Sequence, residues 1–407
     1  VAWPQGTGEP RGLTRRLMAQ RAELPAVRLF LGMTTSDTLT AACADQFEMV
    51  GLNGAGTNRR LTAEGVLNVM PVHISSLPRF LRAGSIKVDV ALVRVRPTGK
   101  PGEFTVGVVA DYTLALIKSA RCVIAELDER LPLTSQDALI SADDINVVTL
   151  ADHDELLLVD AEPSEIERAV ARNVAALIPN RATVQFGIGG LSVAVAQALS
   201  GHSDLGVHSG VVTDVLVDLI EGGVVTNAFK GIDIGVSVAG CLFGSHRLNS
   251  HASGNDAMAL RSVDYTHNIA VMAKINALYS VNFAIEVDIT GQVNSELAGG
   301  RYLGAVGGQV DFVRGAQVSP GGRSIIALPS VTSNGRTSRI VASLDGRPVT
   351  TARSDIDMVV TEYGVADLRA CSLPQRLKRL AAIAHPNFRD QLLRTGQEMP
   401  RLAAVRI

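Results

Sequence analysis

The sequence predicts an α/β fold built on open, mostly parallel sheets, and three observations carry that expectation. Apolar residues fill 46% of the 407 positions while aromatics stay at 4%. Val, Ala, Leu, Ile and Gly dominate, a composition that suits parallel sheets buried on both faces. Two strand–turn–helix units follow one another between residues 183 and 224, with strands predicted over 183–186 and 205–208 and helices over 191–199 and 211–220. Glycine-rich turns join these strands to their helices. In an open α/β sheet the crevice beyond the carboxyl ends of the strands is where ligands bind. The length fits two domains, or one domain with a large elaboration.

The elements read in order as follows. Residues 13–23 form a helix with its basic side chains outward, and 27–31 a strand. A β-branched strand over 88–95 ends at Pro97, and Thr98-Gly99-Lys100-Pro101-Gly102 is a turn by composition. Residues 122–127 are another strand. A polar, acidic break over 151–163 ends at Ser164, which with Glu167 makes a capping box for a helix running to 178. The domain boundary is placed there, giving domains 1–160 and 161–407. In the second unit Val212, Val215, Leu216, Leu219 and Ile220 share one helical face, and Gly222-Gly223 stop the helix. A faint internal echo links Asp111-Tyr112-Thr113 and Glu126 to Asp264-Tyr265-Thr266 and Glu286. Read as a true repeat, it implies two similar domains facing each other across a cleft.

Composition excludes several classes. A net charge of −2 and a pI near 6.5 give no support for a nucleic-acid partner. Cys43, Cys122, Cys241 and Cys371 lie far apart, without the spacing of a disulfide framework or a zinc site. No run of eighteen apolar residues predicts a membrane span, and no signal peptide with a cleavage site is expected from these residues. No His/Glu grouping has metal-ligand spacing, so neither membrane nor metal is expected, and the expected compartment is the cytoplasm.

Three turns carry candidate chemistry: Gly187-Ile188-Gly189-Gly190, His208-Ser209-Gly210, and Gly304-Ala305-Val306-Gly307-Gly308 ahead of a helix over 309–315. Glycine lets a ligand approach the backbone closely, and free N–H groups at a helix start favour negative charge. Such turns suit a phosphate, a carboxylate or the oxyanion of acyl transfer, or they are tight turns required for packing. The string Gly304 to Gly308 is not a P-loop, since no Gly-Lys-Ser/Thr follows, and Gly187 to Gly190 is not a full GxGxxG. Among acid–base candidates, Glu362 follows a strand over 356–360, His208 stands at a strand tip, and Glu286 and Glu126 are strand residues with a structural alternative. Cys241 reads as a buried apolar residue.

Taken together and in order, these segments resemble the acetyl-CoA hydrolase/transferase family, most closely its 4-hydroxybutyrate CoA-transferase branch. The matching strings are Val184-Gln185-Phe186-Gly187-Ile188-Gly189, Leu205-Gly206-Val207-His208-Ser209, Glu286 to Val293 (EVDITGQV), Gly304 to Ala316 (GAVGGQVDFVRGA) and Val359 to Leu368 (VVTEYGVADL). Thr57-Asn58-Arg59, Ala63-Glu64-Gly65, Asp111-Tyr112-Thr113 and the segment 119–127 fit as well. The resemblance implies two related open α/β domains facing a central cleft. It implies a coenzyme A thioester as substrate, a small carboxylate or other group as acyl acceptor, and self-association into a homo-oligomer. It places Gly187, Ile188 and Gly189 in an oxyanion hole, Gly307, Gly308 and Gln309 beside the thioester with Thr57, Asn58 and Arg59 as further CoA or acyl contacts, and Glu362 as an active-site carboxylate.

The same resemblance expects a nucleophilic glutamate after His208-Ser209, and the residue there is Gly210. Glycine cannot form the acyl–glutamyl anhydride through which the family forms its enzyme–CoA thioester. The string Arg247-Leu248-Asn249-Ser250-His251 also departs from the branch, which has an Arg-Leu-Tyr-Asp-Phe-like run there. Three readings follow: an enzyme acting on acyl-CoA without a glutamyl intermediate, with His208 or a carboxylate as base; a conventional CoA-transferase whose nucleophile is Glu362 or Glu64; and a non-catalytic CoA-thioester-binding protein.

Overall fold

The computed structural model describes residues 1–134 and 139–399, so the last eight positions of the expected second domain lie outside the described residues. Its first half carries a parallel sheet in which Leu67–Val69, Phe47–Gly51 and Val27–Leu31 lie side by side. Ala2 then bridges Phe30 on one side and Ala91 on the other, joining that trio to the parallel strands Val90–Pro97, Cys122–Leu127 and Val147–Leu150. Ala2 and the core of Val90–Pro97 are buried, as the Val-rich composition of a two-sided sheet requires.

The second half is an eight-stranded sheet. Its spatial order is Met258–Leu260, Ser237–Leu242, Gly206–Val212, Thr183–Gln185, Leu278–Phe283, Arg323–Ala327, Met358–Thr361 and Gly364–Asp367. Every neighbouring pair is parallel except the last. From Thr183–Gln185 the chain winds outward through three successive strands, then crosses back to continue on the other side with Leu278–Phe283. The switch point therefore lies between those two strands, where a doubly wound sheet leaves a crevice. The fold is the mixed, mostly parallel α/β architecture expected.

Several local expectations hold closely. The helix Glu165–Ala175 starts with the Ser164–Glu167 capping box, both reciprocal hydrogen bonds being present. The segment 151–163 ahead of it carries no helix or strand. The helix Gly190–Ala198 is apolar on nearly all sides because it is covered by its neighbours.

Two expectations are corrected. His208-Ser209-Gly210 is not a turn: the strand runs from Gly206 to Val212, with Ser209 opposite Ala239 and Val211 opposite Cys241. The β-branched Val211-Val212 pair continues the strand, and the helix begins only at Asp214. The internal echo is not kept either. Glu126 lies in the main parallel sheet of the first half, whereas Glu286–Asp288 belongs to a separate three-stranded sheet with Val293–Asn294 and Ile340–Val341.

Candidate active site

A cavity of about 330 Å³ opens at the switch point. Gln185, Phe186, Gly187 and Ile188 line it from the end of one strand, and Asn282 and Phe283 from the end of the next. The first half of the chain closes it with Gln5, Met33, Asn53 and Asp111. These reach across because the loop before Asp111 pairs with the larger sheet: Val109 bridges Cys241, and the Ala110 N–H donates to the Gly240 carbonyl at 3.0 Å.

The glycine string Gly304 to Gly308 forms the third wall. It threads between the two halves, with Ala305 bridging Asn53 and Gly307 bridging His73. The Gly54 and Ile74 N–H groups donate to the carbonyls of Gly304 and Gly307 at 2.9 and 3.0 Å. A Cβ on Gly304 would run into the Ser295 carbonyl, so glycine is required by close backbone approach. Gln309 starts the helix Gln309–Val318 and donates to Thr351 Oγ1 at 2.9 Å, which fixes the amide in the wall.

Gly187 and Ile188 line the cavity directly ahead of a helix. Gly189 has φ +95°, a left-handed conformation that favours glycine, and serves as N-cap of Gly190–Ala198. The Ser192 hydroxyl donates to the Gly187 carbonyl at 2.9 Å and pins the turn. The partial positive charge of the helix start therefore faces the mouth of the crevice.

One side chain fills the space beside Gly210. His267 is 7% exposed, lines the cavity and packs on Phe312 with ring centroids 4.7 Å apart. A Cβ built on Gly210 would stand 2.9 Å from His267 Cε1 and 3.0 Å from Nε2, and one built on Gly308 would overlap the same ring edge. The imidazole is thus held between two glycine backbones. Burial, with His208 nearby, pushes its pKa down to about 3, so it is neutral at physiological pH.

Asp111 is the carboxylate lining the cavity among the described residues. It accepts from Gln5 Nε2 at 2.7 Å, from the Tyr112 N–H at 2.5 Å, and from the Thr113 hydroxyl at 3.2 Å. Burial raises its pKa to about 6 despite those donors. Cys241 also lines the cavity and its thiol donates to Asp111 Oδ2 at 3.6 Å. Burial and the adjacent carboxylate push that thiol far up, which leaves it a poor nucleophile.

Of the residues anticipated from sequence, the cavity brings together Gly187, Ile188, Gly210, Gly307, Gly308 and Gln309. His208 is not among its lining residues. It is fully buried, its Nε2–H donates to the Thr266 carbonyl at 2.9 Å, and its Nδ1 has no partner among the described residues. Burial and the nearby Lys230 lower its pKa to about 3. Glu362 also lies outside the lining, accepting from Ser330 N–H at 2.9 Å and Ser330 Oγ at 2.6 Å. Asn58, buried, and Thr57, half-buried, are hydrogen-bonded to Thr34, and Arg59 is exposed. Glu126 pairs with His153 at 2.6 Å and Glu286 with Arg347 at 2.8 Å, both in structural ion pairs. Glu64 is exposed beyond the end of the helix Asn58–Ala63.

Sequence reasoning missed Gln5, Asp111 and His267. Asp111 opens one of the two similar strings, Asp111-Tyr112-Thr113, and His267 directly follows the other, Asp264-Tyr265-Thr266, which was the available signal. Among the described residues no group of His, Cys, Asp and Glu is placed to hold a metal, and no helix is long and apolar enough to cross a membrane.

Comparison with known proteins agrees with this geometry. Residues 1–160 match the acetyl-CoA hydrolase/transferase N-terminal domain and residues 244–395 its C-terminal domain. The chain is 35% identical over 396 residues to the 4-hydroxybutyrate coenzyme A transferase of Clostridium kluyveri, covering 97% of this chain and 92% of that protein. It superposes on RipA from Yersinia pestis with a TM-score of 0.91 and 32% identity, covering 98% of this chain and 93% of that one. Against the 4-hydroxybutyrate CoA-transferase of Porphyromonas gingivalis the TM-score is 0.81 at 31% identity, with 96% and 91% covered. A glycine-walled crevice at the switch point of a doubly wound sheet, matched along nearly the whole chain, makes this protein a CoA-transferase-like enzyme of the acetyl-CoA hydrolase/transferase family.

Proposed function

We propose that this protein acts on an acyl-CoA thioester bound in the switch-point cavity and passes the acyl group directly to water or another acceptor. No acyl–glutamyl anhydride or enzyme–CoA thioester forms on the way. The observation that carries this reading is Gly210, whose side-chain space is taken by the His267 ring. A second observation favours it: Asp111, the cavity's carboxylate, is engaged by Gln5, Tyr112, Thr113 and Cys241 and is not free to attack.

The Gly187 and Ile188 backbone at the cavity wall supports an oxyanion-hole role, since fixed N–H donors stabilise the charge that develops on a thioester oxygen. The Gly307-Gly308 turn and Gln309 support placement of the thioester along the opposite wall. Loss of the covalent route leaves that contribution intact, because preorganised donors alone supply about 3–4 kcal/mol of transition-state stabilisation each.

The test is incubation with a panel of acyl-CoAs, with and without acetate, following free CoA and exchanged thioester. Release of CoA without sensitivity to borohydride supports direct transfer. Ping-pong exchange with borohydride inactivation identifies the conventional transferase. Binding without turnover across the panel identifies a CoA-thioester-binding protein.

A further inference from the structure

His267 lines the cavity between Gly210 and Gly308. Both nitrogens can be assigned from the hydrogen-bond network. The Thr266 hydroxyl lies 2.8 Å from His267 Nδ1 and 3.2 Å from the Ser262 carbonyl. A carbonyl only accepts, so the hydroxyl's one proton goes to Ser262 and its lone pair takes the Nδ1–H. The arrangement uses both contacts; the reverse tautomer loses one. Nε2 is left with a bare lone pair and no hydrogen-bond partner among the described residues, at the edge of the ring that abuts Gly210 and Gly308 in the cavity wall.

We infer that His267 is a catalytic residue, its Nε2 accepting the proton of the water or other acceptor that attacks the bound thioester. The inference rests on the direct-transfer reading above and supplies the base that reading lacks. As the water oxygen bonds to the thioester carbon, its proton passes to Nε2 and the carbonyl electron pair moves onto the oxygen. The oxyanion then re-forms the carbonyl, the C–S bond breaks, and the departing thiolate takes the proton back from the imidazolium. The products are the free acid and CoA thiol, with His267 neutral again. Nδ1–H to Thr266 holds the ring in the required tautomer throughout, as a second hydrogen bond does for imidazole bases generally. The burial that keeps the ring neutral is offset during the reaction by the negative charge forming on the thioester oxygen, an opposite charge that favours the imidazolium. Gly210 and Gly308 then have a shared purpose: each lacks the Cβ that would displace the imidazole.

The test compares wild type with His267→Asn and His267→Ala, using the acyl-CoA of an acetyl-to-hexanoyl panel that wild type turns over fastest. The expected result is a fall in kcat of roughly 10²- to 10⁴-fold, with affinity for the matching S-alkyl-CoA thioether within about threefold of wild type, the range in which individual contributions vary anyway. The solvent deuterium effect on kcat, present in wild type, should diminish in both variants. Carbethoxylation of His267 in the unaltered protein, blocked by the thioether, provides a readout that does not depend on a variant folding. Wild-type kcat in either folded variant overturns the inference while leaving direct transfer standing. Trapping of the acyl group on Nε2 overturns it in favour of a nucleophilic imidazole. Absence of any turnover by wild type removes the functional reading, and this inference with it.

Discussion

The imidazole Nε2 of His267 stands 3.0 Å, and its Cε1 2.9 Å, from the point where a side chain on Gly210 would begin. The two residues are 57 positions apart in sequence, yet they compete for one volume in the cavity wall. Phe312 backs the ring and Gly308 closes a second side, so the imidazole can yield to a new side chain only by moving into the cavity that it lines.

Gly210→Glu alone should therefore fail to create efficient CoA exchange. Forcing a side chain against His267 is overpacking, worth about 1–3 kcal/mol of stability. Combined with His267→Ala, the same substitution gains room for its carboxylate. The double variant should show borohydride-sensitive exchange that neither single variant shows, measured as transfer of CoA from butyryl-CoA to labelled acetate. Equal exchange in the single Gly210→Glu variant would mean that the ring moves aside freely.

Gly308→Ala should destabilise the fold by about 1–3 kcal/mol and His267→Ala should suppress much of that loss. Both substitutions act on one contact, so their effects are coupled and a double-mutant cycle reads the coupling directly. Gly308 has φ −99°, so the backbone itself raises no objection to alanine. Additive effects in urea unfolding would show that the two residues do not touch in solution.

Asp111 makes stability depend on pH. Its folded-state pKa, near 6, lies above the ordinary carboxylate value of 3.8, because burial favours the protonated form. Its contribution is fully present below pH 3.8 and is lost as pH rises through about 6. The loss is on the order of 2–3 kcal/mol. Wild type should lose stability between pH 4 and pH 7 by more than Asp111→Asn does, in thermal unfolding at matched ionic strength. Parallel curves for the two proteins would place the Asp111 titration elsewhere.

Glu362→Gln should keep kcat within about threefold of wild type, because the carboxylate is bound to Ser330 and does not line the cavity. A loss matching that of His267→Asn would bring Glu362 into the chemistry.

The fold was legible to the extent that local pattern decides it. Periodicity located the helices Glu165–Ala175 and Gly190–Ala198, and the Ser164–Glu167 capping box read correctly because its chemistry is contained in four residues. The glycine turns around Gly187 and Gly307 were visible for the same reason, and both line the cavity. The strand end at Gly210 was misread because glycine resembles a turn in sequence, whereas pairing with Ser237–Leu242 carries the strand on to Val212. That His267 and Asp111 line the crevice was hard to read, because loops from other parts of the chain bring them there. His208, which sequence placed at the strand tip, has its Nε2 occupied by the Thr266 carbonyl, while the Nε2 of His267 next along the chain from Thr266 is bare. Which of two histidines faces a cavity depends on tertiary packing, and local propensity does not record it.

The most direct test of the central claim is a single-turnover experiment with butyryl-CoA and intact-protein mass spectrometry, quenched across the course of CoA release. Direct transfer predicts that free CoA and butyrate appear with no covalent acyl or CoA adduct on the protein and no inactivation by borohydride. An enzyme–CoA thioester that forms and decays at the rate of turnover would contradict it.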